Sequence, residues 1–79
     1  MSMIKSEKMV ALISEVLEIE IKDTDVLLDT IPEFDSMGIL MIMEVFEQHE
    51  VDLFPEDFTS LVTVSDLVNI IHHKQQKSL

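Results

Sequence analysis

Apolar residues recur with helical spacing near the start of the chain. They follow one another at i, i+3, i+4 and i+7, while acidic and serine side chains fall on the opposite side. This pattern predicts one amphipathic helix from residue 3 to about residue 19. Its apolar stripe is formed by Met9, Leu12, Ile13 and Val16.

The next segment, "EIKDTDVLLDTIPEF" (residues 20–34), follows neither a helical nor a strand period. A loop of this length in a small domain is usually functional or packed by its own side chains. The side chains expected to do this packing are Val26, Leu27, Leu28, Ile31 and Phe34.

Three aspartates in this loop raise the alternative of a cation-binding protein. Asp23, Asp25 and Asp29 supply oxygen ligands, but the glycine and the terminal glutamate of a calcium loop are missing at the required offsets. The pattern therefore favours a solvated acidic loop.

Helical signals return in the second half of the chain. A second helix is expected to open at Asp35 and Ser36 and to run to about Glu50. Pro55 with two acidic residues after it is typical of the start of a short helical turn. The side chains expected to pack beneath this turn are Phe54, Phe58 and Leu61.

A capping-box pattern predicts the start of the last helix, because Thr63 is followed three residues later by Asp66. Its buried stripe is predicted to be Val64, Leu67, Val68 and Ile71, and the polar tail, residues 74–79, is expected to fray. The predicted fold class is all-α: a small bundle of three longer helices and one short helix, with a long loop between the first two. One domain covers residues 1–79.

Charge narrows the range of partners. Sixteen Asp and Glu stand against five Lys and no Arg, a formal charge of −11, and cysteine is absent. Such a surface repels nucleic acid and anionic membranes and attracts basic partners. Without a secretion signal or an apolar run long enough to span a membrane, we expect a soluble, cytoplasmic monomer.

The stretch "EFDSMGIL" (residues 33–40) holds the only glycine. A helix N-terminus favours a phosphate, so a phosphodiester on the Ser36 hydroxyl would be stabilised there. Local sequence alone favours the plainer interpretation, that Ser36 or Asp35 is an N-cap worth about 1 kcal/mol. The glycine at position 38 has two explanations, which are equally plausible. Either another group approaches the backbone of Gly38 closely, or the first turn of the helix tolerates a glycine at little cost in stability.

The second helix carries more apolar residues than one core stripe needs. The core positions are Ile39, Ile42, Met43 and Phe46. Apolar residues outside that stripe are Met37, Leu40 and Met41, and Glu44 and Glu47 form a polar rim beside them. Either the helix is unusually buried, or this strip is left for a partner.

The run "LLDTIPEFDSMGILMIMEVFEQHEVDLFPEDFTSLVTVSDLVNII" resembles the acyl carrier protein family over nearly the whole chain. In that family the serine of an Asp-Ser-hydrophobic motif receives 4′-phosphopantetheine from coenzyme A, and the thiol of this arm carries acyl groups as thioesters. The resemblance makes Ser36 the attachment residue, Asp35 its acidic neighbour and Met37 the third position of the motif. It implies a phosphopantetheinyl transferase and acyl-loading and acyl-using enzymes as partners.

One departure from the family pattern points to a specialised member. Carriers of general fatty acid synthesis have several carboxylates along this helix, whereas here Gly38, Leu40 and Met41 come first and acid returns at Glu44 and Glu47. We expect these five residues and Met37 to contact partner enzymes, one of which offers an apolar groove.

No catalysis by the chain itself is expected, because the sequence has no base–nucleophile pair near Ser36. His49, His72 and His73 are expected to be surface residues and not metal ligands. The rival hypothesis is an unmodified helical interaction module that uses Met37, Leu40 and Met41 to bind a partner.

Overall fold

Three α-helices form the protein. The computed structural model describes residues 4–77 and shows, in chain order, α1 (Ser6–Leu17), α2 (Ser36–Glu47) and α3 (Val64–Lys77). No strand is present within that range, although Leu27 and Thr63 form an isolated antiparallel bridge. The segment expected to be a short helix is a single 3-10 turn, Pro55–Phe58, so the fold established here is a small all-helical one with three helices.

Helix α1 is shorter than predicted at both ends. It begins at Ser6, because the backbone of Lys5 before it is extended. Residue 3, where the predicted helix began, lies outside the described part of the chain. The helix ends at Leu17, because Glu18 adopts a left-handed conformation with φ of 57°. The Ile19 amide then donates to the Ser14 carbonyl, which closes a Schellman-type end.

The long loop is largely packed by its own apolar residues, as expected. Leu28 and Ile31 are buried, and Val26 and Phe34 are half-buried. A 3-10 turn, Leu28–Thr30, lies in the middle of the loop. Leu27 was expected to pack as well, but it is 47% exposed, and its backbone forms the isolated bridge with Thr63.

Helix α2 ends at Glu47, three residues before the predicted limit. Glu50 takes a left-handed conformation with φ of 66°, and the Val51 amide turns back to the Phe46 carbonyl at 2.9 Å. The chain then runs extended to the turn at Pro55–Phe58. Phe58 packs into the core beneath that turn as expected, whereas Phe54 does not and is 49% exposed.

Helix α3 begins with the predicted capping box. The Asp66 amide donates to the Thr63 hydroxyl at 3.2 Å, and the Thr63 amide donates to the Asp66 carboxylate at 3.1 Å. Hydrogen bonds from the backbone amides of Thr63 and then Val62 hold the pKa of Asp66 below its usual value.

The predicted fraying of the C-terminal tail is wrong for residues 74–77, which continue α3; residues 78–79 lie outside the described part. Gln75 is buried, and its side-chain amide exchanges two hydrogen bonds with the backbone of Ile4, at 2.7 and 3.0 Å. These bonds order the last turn of α3 and hold the chain extended before α1.

The core lies where α1 packs against both α2 and α3. Among the described residues, its buried apolar members are Met9, Leu12, Ile13, Leu17, Leu28, Ile31, Ile42, Phe46, Val51, Leu53, Phe58, Val64, Leu67, Val68 and Ile71.

Candidate functional site

Asp35 caps the N-terminus of α2. Its backbone is extended, and its carboxylate accepts a hydrogen bond from the Gly38 amide at 3.0 Å. An acidic oxygen on the third amide of a helix is the usual N-cap arrangement. Of the two residues that the sequence offers as caps, the structure therefore places Asp35 in this role.

Ser36 is the first residue of α2 and is exposed. Within residues 4–77, no hydrogen bond to another protein group engages its hydroxyl. The first amides of an α-helix have no partner inside the helix and carry positive partial charge. The Ser36 hydroxyl thus lies at the electropositive tip of α2.

Gly38 allows the loop to pass close to α2. A Cβ atom at this position would overlap the Glu33 carbonyl oxygen and would lie 2.9 Å from Leu17 Cδ2. The close approach that the sequence suggested is therefore made by this chain's own backbone. Because Gly38 is buried in this contact, it offers no surface to a partner, and we withdraw the expectation that it contacts one.

The remaining residues of the predicted partner surface lie on the outer side of α2. Met37 is 66% and Leu40 is 54% exposed, and Met41 is half-buried. Glu44 and Glu47 are exposed farther along the helix. Of the two explanations for the apolar excess of this helix, the structure favours a strip left uncovered, since a buried helix would hide Met37 and Leu40.

A small groove of about 170 Å³ opens along this outer side of α2. The sequence did not predict its second wall, which is the extended segment before Pro55. Its lining residues are Leu40, Met43, Glu44, Glu47, Asp52, Leu53 and Phe54. A signal for this wall exists in "VDLF": the alternation of apolar and acidic residues, with a proline next, is typical of an extended segment that buries every second side chain.

A larger hollow, of about 450 Å³, lies between α1, the start of the long loop and α3. It is lined by residues such as Val10, Ile21 and Val68 and by none of α2. It is therefore separate from the helix tip that carries Ser36.

The histidines lie away from this tip along the chain. His49 and His73 are exposed, while half-buried His72 has its Nε2 atom 2.7 Å from the Ser6 hydroxyl. Within the described residues, no group of three or more His, Cys, Asp and Glu side chains is placed to hold a metal ion.

Comparisons with protein-family models, curated proteins and solved structures give no match for this chain. Across the described residues, no helix has both the length and the apolar character needed to cross a membrane.

Proposed function

We propose that this chain is an acyl carrier protein in which the Ser36 hydroxyl bears 4′-phosphopantetheine. The proposal rests on the different contacts of two neighbouring residues at the N-terminus of α2. Asp35 caps the helix, so the exposed Ser36 hydroxyl is left for another task. A serine that served as the cap would direct its oxygen at the amide of Gly38 or Ile39 instead.

The residues present fit such a group. A phosphodiester on Ser36 would meet the positive end of α2, where the amides of Ser36 and Met37 precede the first intrahelical bond. The exposure of Ser36 leaves room for a modifying enzyme to reach the oxygen. When bound, the group supplies a thiol that holds acyl cargo as a thioester.

The order of elements also supports the proposal. A helix, a long self-packed loop, a helix opened by Asp-Ser, a short turn and a Thr-capped last helix follow one another along the chain. This is the order that the sequence resemblance implies for a carrier. In this interpretation the turn at Pro55–Phe58 takes the place of the family's short helix.

The chain's own role is presentation and not catalysis. A tethered substrate reaches each docked enzyme at high effective concentration, which makes delivery intramolecular. The acidic surface steers basic partners toward the tip of α2, and the exposed strip of Met37, Leu40 and Met41, with Glu44 and Glu47 beside it, selects among them. The apolar start of this strip suits a specialised partner system more than the general fatty acid pathway. We place the protein in the cytoplasm, as a monomer.

The proposal is tested by incubating the purified protein with coenzyme A and a phosphopantetheinyl transferase of broad specificity. We expect a mass increase of one phosphopantetheine group, which Ser36→Ala abolishes. Ser60→Ala is the matched control, since Ser60 is also exposed but lies outside a helix tip, and it should be modified as fully as the wild type.

The exposure of Met37 and Leu40 also fits a second candidate, an unmodified interaction module. Such a module would bind its partner through this strip without using Ser36. Failure of several transferases to modify the folded protein would favour the module over the carrier.

A further inference from the structure

The hollow between α1 and α3 is built from three separate parts of the chain. Val10 of α1, Ile21 of the long loop and Val68 of α3 form its apolar part. Val68 is buried and the other two are half-buried, so apolar surface remains within reach of solvent. Sites for small organic molecules are concave and lined mainly by such side chains.

The size of the hollow suits a small organic molecule. Its volume of about 450 Å³ lies within the range of about 300–1,000 Å³ typical of small-molecule sites. It equals the space of about fifteen water molecules, since each occupies about 30 Å³ in the liquid. A compact molecule can enter this space, whereas a folded partner cannot.

Hydrogen bonds hold the walls of the hollow in place. The Ser6 hydroxyl lies 2.7 Å from the Nε2 atom of His72, and this contact joins α1 to α3. The Ser65 amide donates to the Thr24 carbonyl at 2.9 Å, which joins the long loop to the start of α3. Walls that are fixed before binding reduce the entropy lost when a ligand is bound.

Polar side chains surround the apolar part of the hollow. The hydroxyls of Thr24 and Ser65 and the side-chain amide of Asn69 make no hydrogen bond to another protein group within residues 4–77. Each of these groups has an oxygen that can accept a hydrogen bond. A few polar groups beside apolar surface fix the orientation of a bound molecule.

The charges at the hollow favour a cation. The carboxylates of Glu7 and Asp23 line it, and neither forms an ion pair within the described part of the chain. Lys22 also lines the hollow, but its ammonium lies 3.8 Å from the Glu20 carboxylate. The chain as a whole carries a formal charge of −11, which attracts cations and repels anions.

The composition of the lining indicates which kind of cation is bound. Among the described lining residues none is aromatic. Proteins recognise quaternary ammonium groups through the faces of aromatic rings, so such a group finds no matching surface here. A protonated primary amine instead donates hydrogen bonds to carboxylate and hydroxyl oxygens, which this hollow supplies.

We infer that the hollow between α1 and α3 binds a small molecule with a compact apolar body and a protonated primary amine. The body lies against the three apolar side chains, and the amine lies at the acidic rim formed by Glu7 and Asp23. The site holds whether or not Ser36 is modified, because none of its lining residues belongs to α2.

The test titrates 1-aminoadamantane into the ¹⁵N-labelled Ser36→Ala protein. The amine of this probe is protonated at neutral pH, as that of lysine is. Because the variant cannot be modified at position 36, the outcome is independent of the proposed function. We expect saturable shifts of the amide resonances of Val10, Ile21 and Val68, with a dissociation constant below about 1 mM.

Two matched probes separate the contributions of charge and hydrogen bonding. 1-Adamantanol keeps the apolar body and removes the charge. The trimethylammonium derivative of adamantane keeps the charge and removes the N–H donors. Each should bind about fivefold or more weakly than the amine, because each loses the charge-assisted hydrogen bonds.

Exposed residues allow matched changes in the protein. Glu7→Gln and Asp23→Asn should each weaken amine binding about threefold, whereas Glu15→Gln, on α1 outside the hollow, should not. Asn69→Trp should abolish binding by filling the hollow. His73→Trp is its control, since His73 is exposed on α3 outside the hollow, and it should bind the amine as before.

Several results would overturn the inference. They are equal binding of the amine and either matched probe, no saturation by about 5 mM amine, and shifts that avoid the hollow. Unchanged binding by Asn69→Trp would place the amine elsewhere. Equal effects of Glu7→Gln and Glu15→Gln would reduce the attraction to the overall charge, and either outcome would also overturn the inference.

Discussion

The Asp35 carboxylate accepts a hydrogen bond from the Gly38 amide at 3.0 Å, across the two residues that lie between them in the first turn of α2. This bond satisfies one of the two amides to which a serine cap at position 36 could bind. Ser36 therefore begins the helix with an exposed hydroxyl. The cap and the proposed attachment point are neighbouring residues with separate tasks.

Gly38→Ala should destabilise the protein by about 1–3 kcal/mol, the usual cost of overpacking. The added methyl group would meet the Glu33 carbonyl, which belongs to the backbone and cannot rotate aside, and Leu17 as well. The free energy of unfolding from urea denaturation measures the effect. Gln48→Ala, at an exposed position just after α2, should change it by less than about 0.5 kcal/mol. An equally stable Gly38→Ala protein would contradict the packing of the loop on α2.

Glu18→Gly should stabilise the protein by up to about 1 kcal/mol. Glu18 is left-handed at the end of α1, where glycine avoids the strain of a side chain. Part of this gain is offset by the greater freedom of glycine in the unfolded chain. Thermal unfolding measures the change, and Glu18→Gln separates the backbone effect from the loss of one negative charge. Equal gains in both variants would assign the effect to charge.

Asp66→Asn should lower the free energy of unfolding at neutral pH. It should also make that free energy depend less on pH in the acid range. The folded state lowers the pKa of Asp66 from 3.8, chiefly through the Thr63 amide, so the stabilisation is fully present above pH 3.8. It is lost as the pH falls through the lower folded pKa. The difference between wild type and variant should thus shrink below pH 3.8.

The control for this effect is Asp25→Asn, which removes the same charge from an exposed loop residue outside the capping box. Urea denaturation at a series of pH values from neutral to acid supplies the comparison. If the difference in free energy of unfolding between wild type and Asp66→Asn stays constant as the pH falls, the ionised Asp66 carboxylate makes no contribution to stability.

Lys74→Met should lower the free energy of unfolding by about 1–2 kcal/mol, because it removes the partner of a shielded carboxylate. The side chains of Lys74 and Asp57 are only 23% and 14% exposed and 3.2 Å apart. Lys22 and Glu20 form the natural comparison, at 3.8 Å and with 81% and 78% exposure. Lys22→Met should cost less than about 0.5 kcal/mol, since solvent screens this pair. Similar losses in the two variants would count against a structural role for Lys74.

Several elements could be predicted from sequence because their causes are local. The Thr63–Asp66 capping box depends on two residues three apart, and the structure contains it. The apolar excess at Met37 and Leu40 likewise follows from helical spacing, and both side chains are exposed. For both features, the geometry of residues close together in the sequence is enough for a correct prediction.

Other features depend on contacts between distant parts of the chain. Gln75 is ordered by the backbone of Ile4, across nearly the whole sequence, so a polar tail wrongly predicted fraying. The neighbour that requires a glycine at position 38 is the loop carbonyl of Glu33, which spacing alone does not identify. The choice between Asp35 and Ser36 as the cap was decided by side-chain geometry, since both residue types are good caps.

The most direct measurement is the intact mass of the protein isolated from the cells that make it, under mild conditions that preserve thioesters, with fragmentation to locate any added group. We predict one phosphopantetheine group on Ser36, free or acylated, and none on any other serine. An unmodified protein that transferases also fail to modify, or a group attached elsewhere, would contradict the assignment of Ser36 as the anchor of a carrier arm.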